Sequence, residues 1–528
     1  MECLVVGVDG LDPRLVEEWR DDLPTLSRLV ERGSFGRLHS AYPPLSSPAW
    51  PTLFTGKQGG KHGVYGFTRE RESGYTRVPV NYDDIAAESI WETFDDAGVS
   101  VGVANVPLTY PPSELDDGYV VSGWPVPNRA DVASPQSVVD TVERGLEERY
   151  RVHPFPMEPE LKEYTPAETR KAIVEGMRHH ARAFEVLLEH HPVDVFFGVF
   201  MAIDHASHHL AWNREELRRA YVAQDAALER ILSYADDDTD VVVLSDHGHG
   251  ARGDLNFHTN EWLASEGYLE KADTTVDSDG LLRSVGLTRG NLITLKNKLG
   301  IDDVRQLVPQ SVFSLAEAVV PPADETDAGF DPDRIDWSET VAYSGMQNTI
   351  SLADGVPDSD RAALRAEIVD RLAELDHPRR GGGLLTYAHT CDEIFDGPHT
   401  DDAPEIVFVT DEMRCKANVG FSDDGSVFTD LEWGEHRQRG VLLTAGPSFV
   451  ADSDSPERDI TDVFPMLCSL LGVSAPNRID GDLPTERLAG EASLEYRAET
   501  ERATGGGDYS DEETEAVRDQ LEDLGYLE

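Results

Sequence analysis

The chain has 528 residues and carries 46 Lys plus Arg against 100 Asp plus Glu, a formal net charge of −54. Phosphate-backbone binding depends on a basic footprint that this surface lacks, so a nucleic-acid polymer is excluded as a partner. The acid is spread along the whole chain, which reads as adaptation to a salty cytoplasm, where counter-ions screen self-repulsion, rather than as a clue to substrate.

The chain opens MECLVVGVDG, without a basic leader or a signal-like apolar core, and no apolar run reaches the ~18 residues of a membrane span. A cytoplasmic protein without a membrane span is expected. Residues 3–8 form a buried strand that runs into Asp9. Next, YPPLSSPAWPTLFTG (residues 42–56) predicts a helix with Pro48 at its first position and two serines just before it. A second strand, 100–104, is followed by NVPLTYPP (105–112). TPAE (165–168) is a capping box leading into a helix that places Ile173, Met177, Phe184 and Leu188 at helical spacing. Strands then follow at 193–201, 240–244, 405–409 and 440–444, all apolar enough to be buried parallel strands.

Between 265 and 338 the pattern blurs into Asp- and Gly-rich turns with one short basic helix candidate, LTRGNLITLKNKLG. We read 1–264 and 339–490 as one discontinuous core, 265–338 as an inserted cap, and 491–528 as a linker at Gly505 to Gly507 plus a docking helix. SDEE (510–513) caps that last helix, with Val517, Leu521 and Leu524 on one face. Strand alternating with helix predicts an α/β fold, a mostly parallel central sheet with helices on both faces. Cys3, Cys391, Cys415 and Cys468 form no CxxC pair; they read as small buried hydrophobes in a reducing compartment.

Three of the strands end in aspartate: VGVDG at Asp9, FMAID at Asp204 and VLSDHG at Asp246. In an open α/β sheet, ligands bind beyond the carboxyl ends of the strands, so these carboxylates can share one crevice. One such Asp alone is an ordinary turn or cap residue. The histidines change the reading. Asp204 precedes His208 by one helical turn, Asp246 precedes His247 directly, and His436 stands before the strand at 440–444. Clustered buried carboxylates repel one another unless cations neutralise them. Asp with neutral imidazole and no thiolate suits Zn²⁺, or else Mn²⁺. There are ligands enough for two ions, which about 4 Å apart could clamp an in-line displacement at phosphorus. Ser46 or Ser47, at a helix start whose N–H groups face outward, is placed to attack an anion there.

These motifs, VGVDG, LSSPAW, DxxxH, SDHG and a late GxH in this order, resemble the alkaline phosphatase superfamily, and within it the type I phosphodiesterase/nucleotide pyrophosphatase branch, over most of residues 1–265 and about 340–475. The resemblance implies an alkaline-phosphatase-like core and two divalent ions, one held by Asp9, Ser46, Asp246 and His247, the other by Asp204, His208 and His436. It also implies Ser46 as nucleophile, Ser47 as helix cap, a phospho-serine intermediate, and a small-molecule phosphate ester, most simply a diester, as substrate. The chain departs from nucleotide pyrophosphatases in having Ala49 where an asparagine stands, which leaves nucleotide specificity open. SSPAW lacks the arginine of a sulfatase motif. A phosphomutase of the same superfamily is the alternative within enzymes, and a non-catalytic anion-binding protein the alternative outside them. The reading leaves the oligomeric state open.

Around the proposed ligands, His205, His209 and His249 are expected to stand behind them or at the surface, and His179, His180, His190 and His191 to lie on a solvated helix and its end. Asn105, Tyr110 and Lys57 are the candidates for contacting substrate, and the 265–338 insertion for setting selectivity. If salt screening keeps so acidic a chain folded, the thermal unfolding midpoint should rise by at least ~5 °C between about 0.1 M and about 2 M KCl, measured by circular dichroism.

Overall fold

A strand covered on both faces is apolar without alternation. Cys3–Val8 (β1) is such a strand, with all six residues buried. The computed structural model describes residues 1–70, 75–127, 131–156, 161, 163–272, 329–410, 414–451, 455–499, 502 and 509–523. Along the chain, β1 is joined in one central sheet by Ser34–His39 (β2), Val101–Val106 (β3), Gly118–Ser122 (β4), Ala133–Ser134 (β5), Val195–Phe200 (β6), Asp240–Leu244 (β7), Arg439–Ala445 (β8) and Arg458–Asp459 (β9). Among the described residues the order is β9-β2-β8-β7-β1-β6-β3-β4-β5. β7, β1, β6, β3 and β4 run parallel, whereas β8, expected at 440–444 as a parallel strand, is antiparallel to both its neighbours, and β5 is antiparallel to β4.

Helices cover both faces, and two glycines show how. Gly7 of β1 lies under Trp50 of Ser46–Thr55 (α1); a Cβ there would meet the indole ring at 2.6 Å. Gly198 of β6 pairs with Val6, the next residue along β1, and so faces the other side. It lies under Phe184 of Pro166–His190 (α2). The predicted capping box at Thr165 and Glu168 starts α2. His179 and His180, expected in solvent, are buried: His179 accepts the Arg151 amide and His180 reaches the Val152 carbonyl, because the segment around Tyr150 folds back over this stretch of α2. Ala202–Leu210 (α3) follows β6 directly, and Arg214–Leu232 (α4) packs against α2 and α3.

The strand expected at 405–409 is Ile406–Thr410, and it corrects the sequence reading. It belongs to a separate four-stranded sheet, antiparallel to Thr349–Leu352 and Leu385–Thr390. A strand sandwiched between layers is apolar whichever way it runs, so composition could not distinguish the two sheets. This sheet shares a second hydrophobic core, including Phe257, Trp262, Ile350, Ile406 and Phe408, with a three-stranded sheet in which Gly248–His258 pairs with Cys415–Asn418 and Phe428–Arg437. Most of the expected insertion, residues 273–328, lies outside the described residues, as do the basic helix candidate and the glycine linker. On either side of it, Tyr268, Leu269 and Ile335 pack into the second core. The final helix, Asp511–Asp523 (α5), is capped by Ser510 and Glu513 and buries Val517 and Leu521 completely; Leu524 lies outside the described residues. All four cysteines are buried, and none forms a disulfide.

The Gly7–Trp50 contact seats α1 on the sheet. Gly7→Ala forces a methyl to within 2.6 Å of Trp50 and 2.8 Å of Val199, and should destabilise the fold by about 1–3 kcal/mol, the usual range for overpacking, as read by urea denaturation.

Candidate active site

The three aspartates meet because their strands are neighbours. β7, β1 and β6 are adjacent and parallel, with Gly7 opposite Leu244 and Val8 opposite Phe200, so Asp9, Asp246 and the start of α3 emerge side by side at one sheet edge. Antiparallel β8 begins at that edge, and the chain entering it brings His436 there. Asp9, Asp204, Asp246, His208, His247 and His436 are all buried.

On one side of the cluster, Ser46 Oγ lies 3.0 Å from His247 Nε2 and 3.4 Å from Asp9 Oδ1. His247 Nε2 is 3.2 Å from Asp246 Oδ2 and 3.7 Å from Asp9 Oδ1. Trp50 Nε1–H donates to Asp9 Oδ2 at 2.9 Å, tying α1 to the end of β1. On the other side, one helical turn of α3 sets Asp204 Oδ2 3.4 Å from His208 Nε2. The Nε2 atoms of His208 and His436 lie 3.1 Å apart, and His436 Nε2 is 3.5 Å from Asp204 Oδ1. Two of the rings are held from behind: His208 Nδ1 donates to the Gly434 carbonyl at 2.8 Å, and His247 Nδ1 to the Gly248 carbonyl at 3.1 Å. That fixes the tautomer and turns each Nε2 lone pair inward, the arrangement typical of ligating histidines.

The electrostatics match a site built for cations. Burial pushes the Asp9 carboxyl well above the usual range, and Asp246 and Asp204 push it further. Burial likewise raises Asp246, aided by Asp204. Burial also works against ionised Asp204, but His208 and His436 outweigh it and hold this carboxyl well below its ordinary value. Burial drives His436 down to about 3, with His247 adding to the effect. Imidazoles and carboxylates together form a hard-to-borderline donor set. One ligand atom from each of Asp9, Asp204 and His247, and one from each of Asp204, His208, His249 and His436, lie within 4.8 Å of the others in their group.

The start of α1 differs from the sequence reading. The helix begins at Ser46, so Pro48 occupies its third position rather than its first, which is tolerated because the first turn's N–H groups have no partner within the helix. Leu45 is the N-cap residue, and Ser47 makes no capping bond. The Ser47 hydroxyl is buried with no hydrogen-bond partner among the described residues.

His249, expected behind the ligands or at the surface, has a fully buried ring with Nε2 3.5 Å from Asp204 Oδ1. Spacing alone could not reveal it, since its place depends on how its strand pairs. His205 contacts His153, and His209 packs edge-on to Trp433. Each of the three candidates for substrate contact has a partner within the protein. Lys57 follows the far end of α1, about 15 Å from Ser46 by helix length, and is buried against Glu499. Asn105 donates to the Val199 carbonyl at 2.8 Å, and Tyr110 stacks on Tyr509.

A mixed α/β sheet with a buried Ser/Asp/His centre beyond its parallel strand ends defines this protein's class. The chain matches the type I phosphodiesterase / nucleotide pyrophosphatase family over residues 3–325 and belongs to it. Membership supports a phosphoric ester hydrolase and agrees with the resemblance carried by the motifs. Similar solved structures include murine ectonucleotide pyrophosphatase / phosphodiesterase 5, at 15% identity, covering 93% of this chain and 100% of that one with a TM-score of 0.48. They also include phosphonoacetate hydrolase from Sinorhizobium meliloti 1021 in complex with phosphonoformate, at 17% identity, covering 88% and 94% of the two chains with a TM-score of 0.49. No curated protein sequence matches. Among the described residues no helix is long and apolar enough to cross a membrane.

The raised Asp246 carboxyl gives a stability test with a definite sign. An upward shift means that ionised Asp246 destabilises the fold at neutral pH, by about 1.4 kcal/mol per pKa unit. Asp246→Asn should therefore stabilise chelator-treated protein at pH 7. The gain should shrink as pH falls and vanish below about pH 3, where the carboxyl is protonated in folded and unfolded chains alike. With Zn²⁺ present the order should reverse. Urea melts across pH, with and without metal, check both signs.

Proposed function

We propose that this protein hydrolyses phosphodiesters through a phospho-serine at Ser46, with two divalent cations, Zn²⁺ or Mn²⁺, as cofactors. One ion would be held by Asp9, Ser46, Asp246 and His247, and the other by Asp204, His208 and His436. When bound, the ions supply the positive charge that three buried carboxylates demand, lower the pKa of the serine hydroxyl and polarise the phosphoryl oxygens. The observation that carries the reading is the position of Ser46 Oγ, at the first residue of α1 and 3.0 Å from His247 Nε2 and 3.4 Å from Asp9 Oδ1.

From that position, Oγ attacks phosphorus in line with the leaving alkoxide. The hydroxyl proton passes to solvent as the Oγ–P bond forms, the P–O bond to the leaving group breaks, and the departing oxygen takes a proton from water. Water then attacks the phospho-serine, breaking Oγ–P and restoring the hydroxyl. The N–H groups of the first turn of α1 face the transferred anion and favour its charge. Trp50 holds Asp9, and the Gly434 and Gly248 carbonyls hold His208 and His247, so the residues around the nucleophile need no rearrangement as charge develops. Leu45, next to Ser46, lines a cavity of about 360 Å³ with Phe67, Arg77, Met346 and Arg518. That volume falls in the range of small-molecule sites, and we assign the leaving group to it. In this reading residues 1–264 and 339–490 supply the catalytic core.

Ser46→Ala should reduce bis(p-nitrophenyl) phosphate turnover by on the order of 10³-fold or more and leave metal content nearly intact. Unchanged turnover would show that the nucleophile lies elsewhere. Transfer of the phosphoryl group to a second hydroxyl of the substrate, in place of release, would identify a mutase.

A further inference from the structure

The strand Gly248–His258 pairs antiparallel with Phe428–Arg437, placing Gly248 opposite Arg437 and Ala251 opposite Glu435. Between these pairs, residues 249 and 250 face His436 alone. This is a β-bulge, a device that re-aims one side chain and bends the strand. Its flanks are built for it. Gly250 has φ +89°, a conformation L side chains rarely adopt. At Gly248 a Cβ would meet the Arg439 carbonyl oxygen at 2.2 Å. The bulge turns His249 toward the same cluster as His436.

There the His249 ring is fully buried, edge-on to His208 with centroids 4.3 Å apart and 5.0 Å from His436. Nδ1 lies 2.5 Å from the Gly250 amide nitrogen, so the ring presents Nε2 to the cluster. Nε2 stands 3.5 Å from Asp204 Oδ1 and has no hydrogen-bond partner among the described residues. A buried polar nitrogen without a partner is destabilising. The surroundings are also unlike those of an ordinary core histidine, because three other potential donors converge with this one.

We propose that His249 is a fourth protein ligand to the cation held by Asp204, His208 and His436. The inference rests on the two-cation reading above. While Nδ1 accepts the Gly250 N–H, a neutral ring carries its proton on Nε2; moving that proton to Nδ1 gives up the local contact and frees the lone pair for the ion. Three imidazoles and one carboxylate make a tetrahedral, nitrogen-rich set, which favours Zn²⁺ and Co²⁺ over Mn²⁺. His249 thereby biases which metal this half of the site retains.

The test is a Co²⁺ titration of the chelator-treated full-length protein and of His249→Gln, followed by visible absorption and calorimetry. Glutamine keeps a donor for Asp204 but is a poor ligand, so a merely positioning role survives the change. We expect two cobalt ions in the wild type. In the variant, one site should weaken at least ~10-fold, with altered d–d bands, and the other should keep its affinity. Two sites with wild-type spectrum and affinity in the variant would overturn the inference and leave the two-cation reading standing. Failure of the wild type to bind cobalt would overturn both. X-ray absorption of the wild-type zinc protein gives a check independent of the variant's folding: four imidazoles shared between two ions support the proposal, and three overturn it.

Discussion

Three carboxylates buried side by side at one sheet edge would be strongly unfavourable without compensation, and much of the structure can be understood as its response. Their proximity follows from adjacent parallel strands, β7, β1 and β6, each ending at the same level. Because Asp9 and Asp246 are raised while Asp204 is lowered, the group does not carry charge uniformly. It is split between a pair held toward the protonated form and one carboxylate compensated by imidazoles. Burial that would weaken an ordinary core is kept here at side chains that could hold a metal ion, where a charge in a dry site interacts far more strongly than one in water.

Around that crowding the fold supplies rigidity in small, identifiable contacts. Trp50 packs over Gly7 and bonds Asp9, so one residue of α1 both seats the helix and orients a carboxylate. The histidines are backed by main-chain carbonyls, and backbone moves less than any side chain that could do the same task. Such support limits how far these side chains can move.

The second core forms a wall of its own. Phe257, Trp262 and Phe408 stabilise a pair of smaller sheets, one of which carries the strand that feeds both Gly248 and His249 toward the central edge. The buried cluster of carboxylates and imidazoles is thus shared between layers: strand ends of the large sheet provide the aspartates, and the three-stranded sheet provides His436 and His249.

Much of this could be read along the chain. Runs of apolar residues marked β1, β6 and β7, aspartate at their ends marked the edge, the four-residue spacing of Asp204 and His208 predicted one helical face, and the capping boxes at Thr165 and Ser510 placed two helix starts. These features are local, or depend on periods of 2 and 3.6 residues that any segment displays by itself. Strand direction for Ile406–Thr410, the partner that buries Lys57, the idle hydroxyl of Ser47 and the bulge that turns His249 inward depend on what lies across a layer. Sequence alone therefore determined which groups could do chemistry and near which strand ends they lie. Tertiary structure decided which of them meet, because register and layer packing are set by residues hundreds of positions apart.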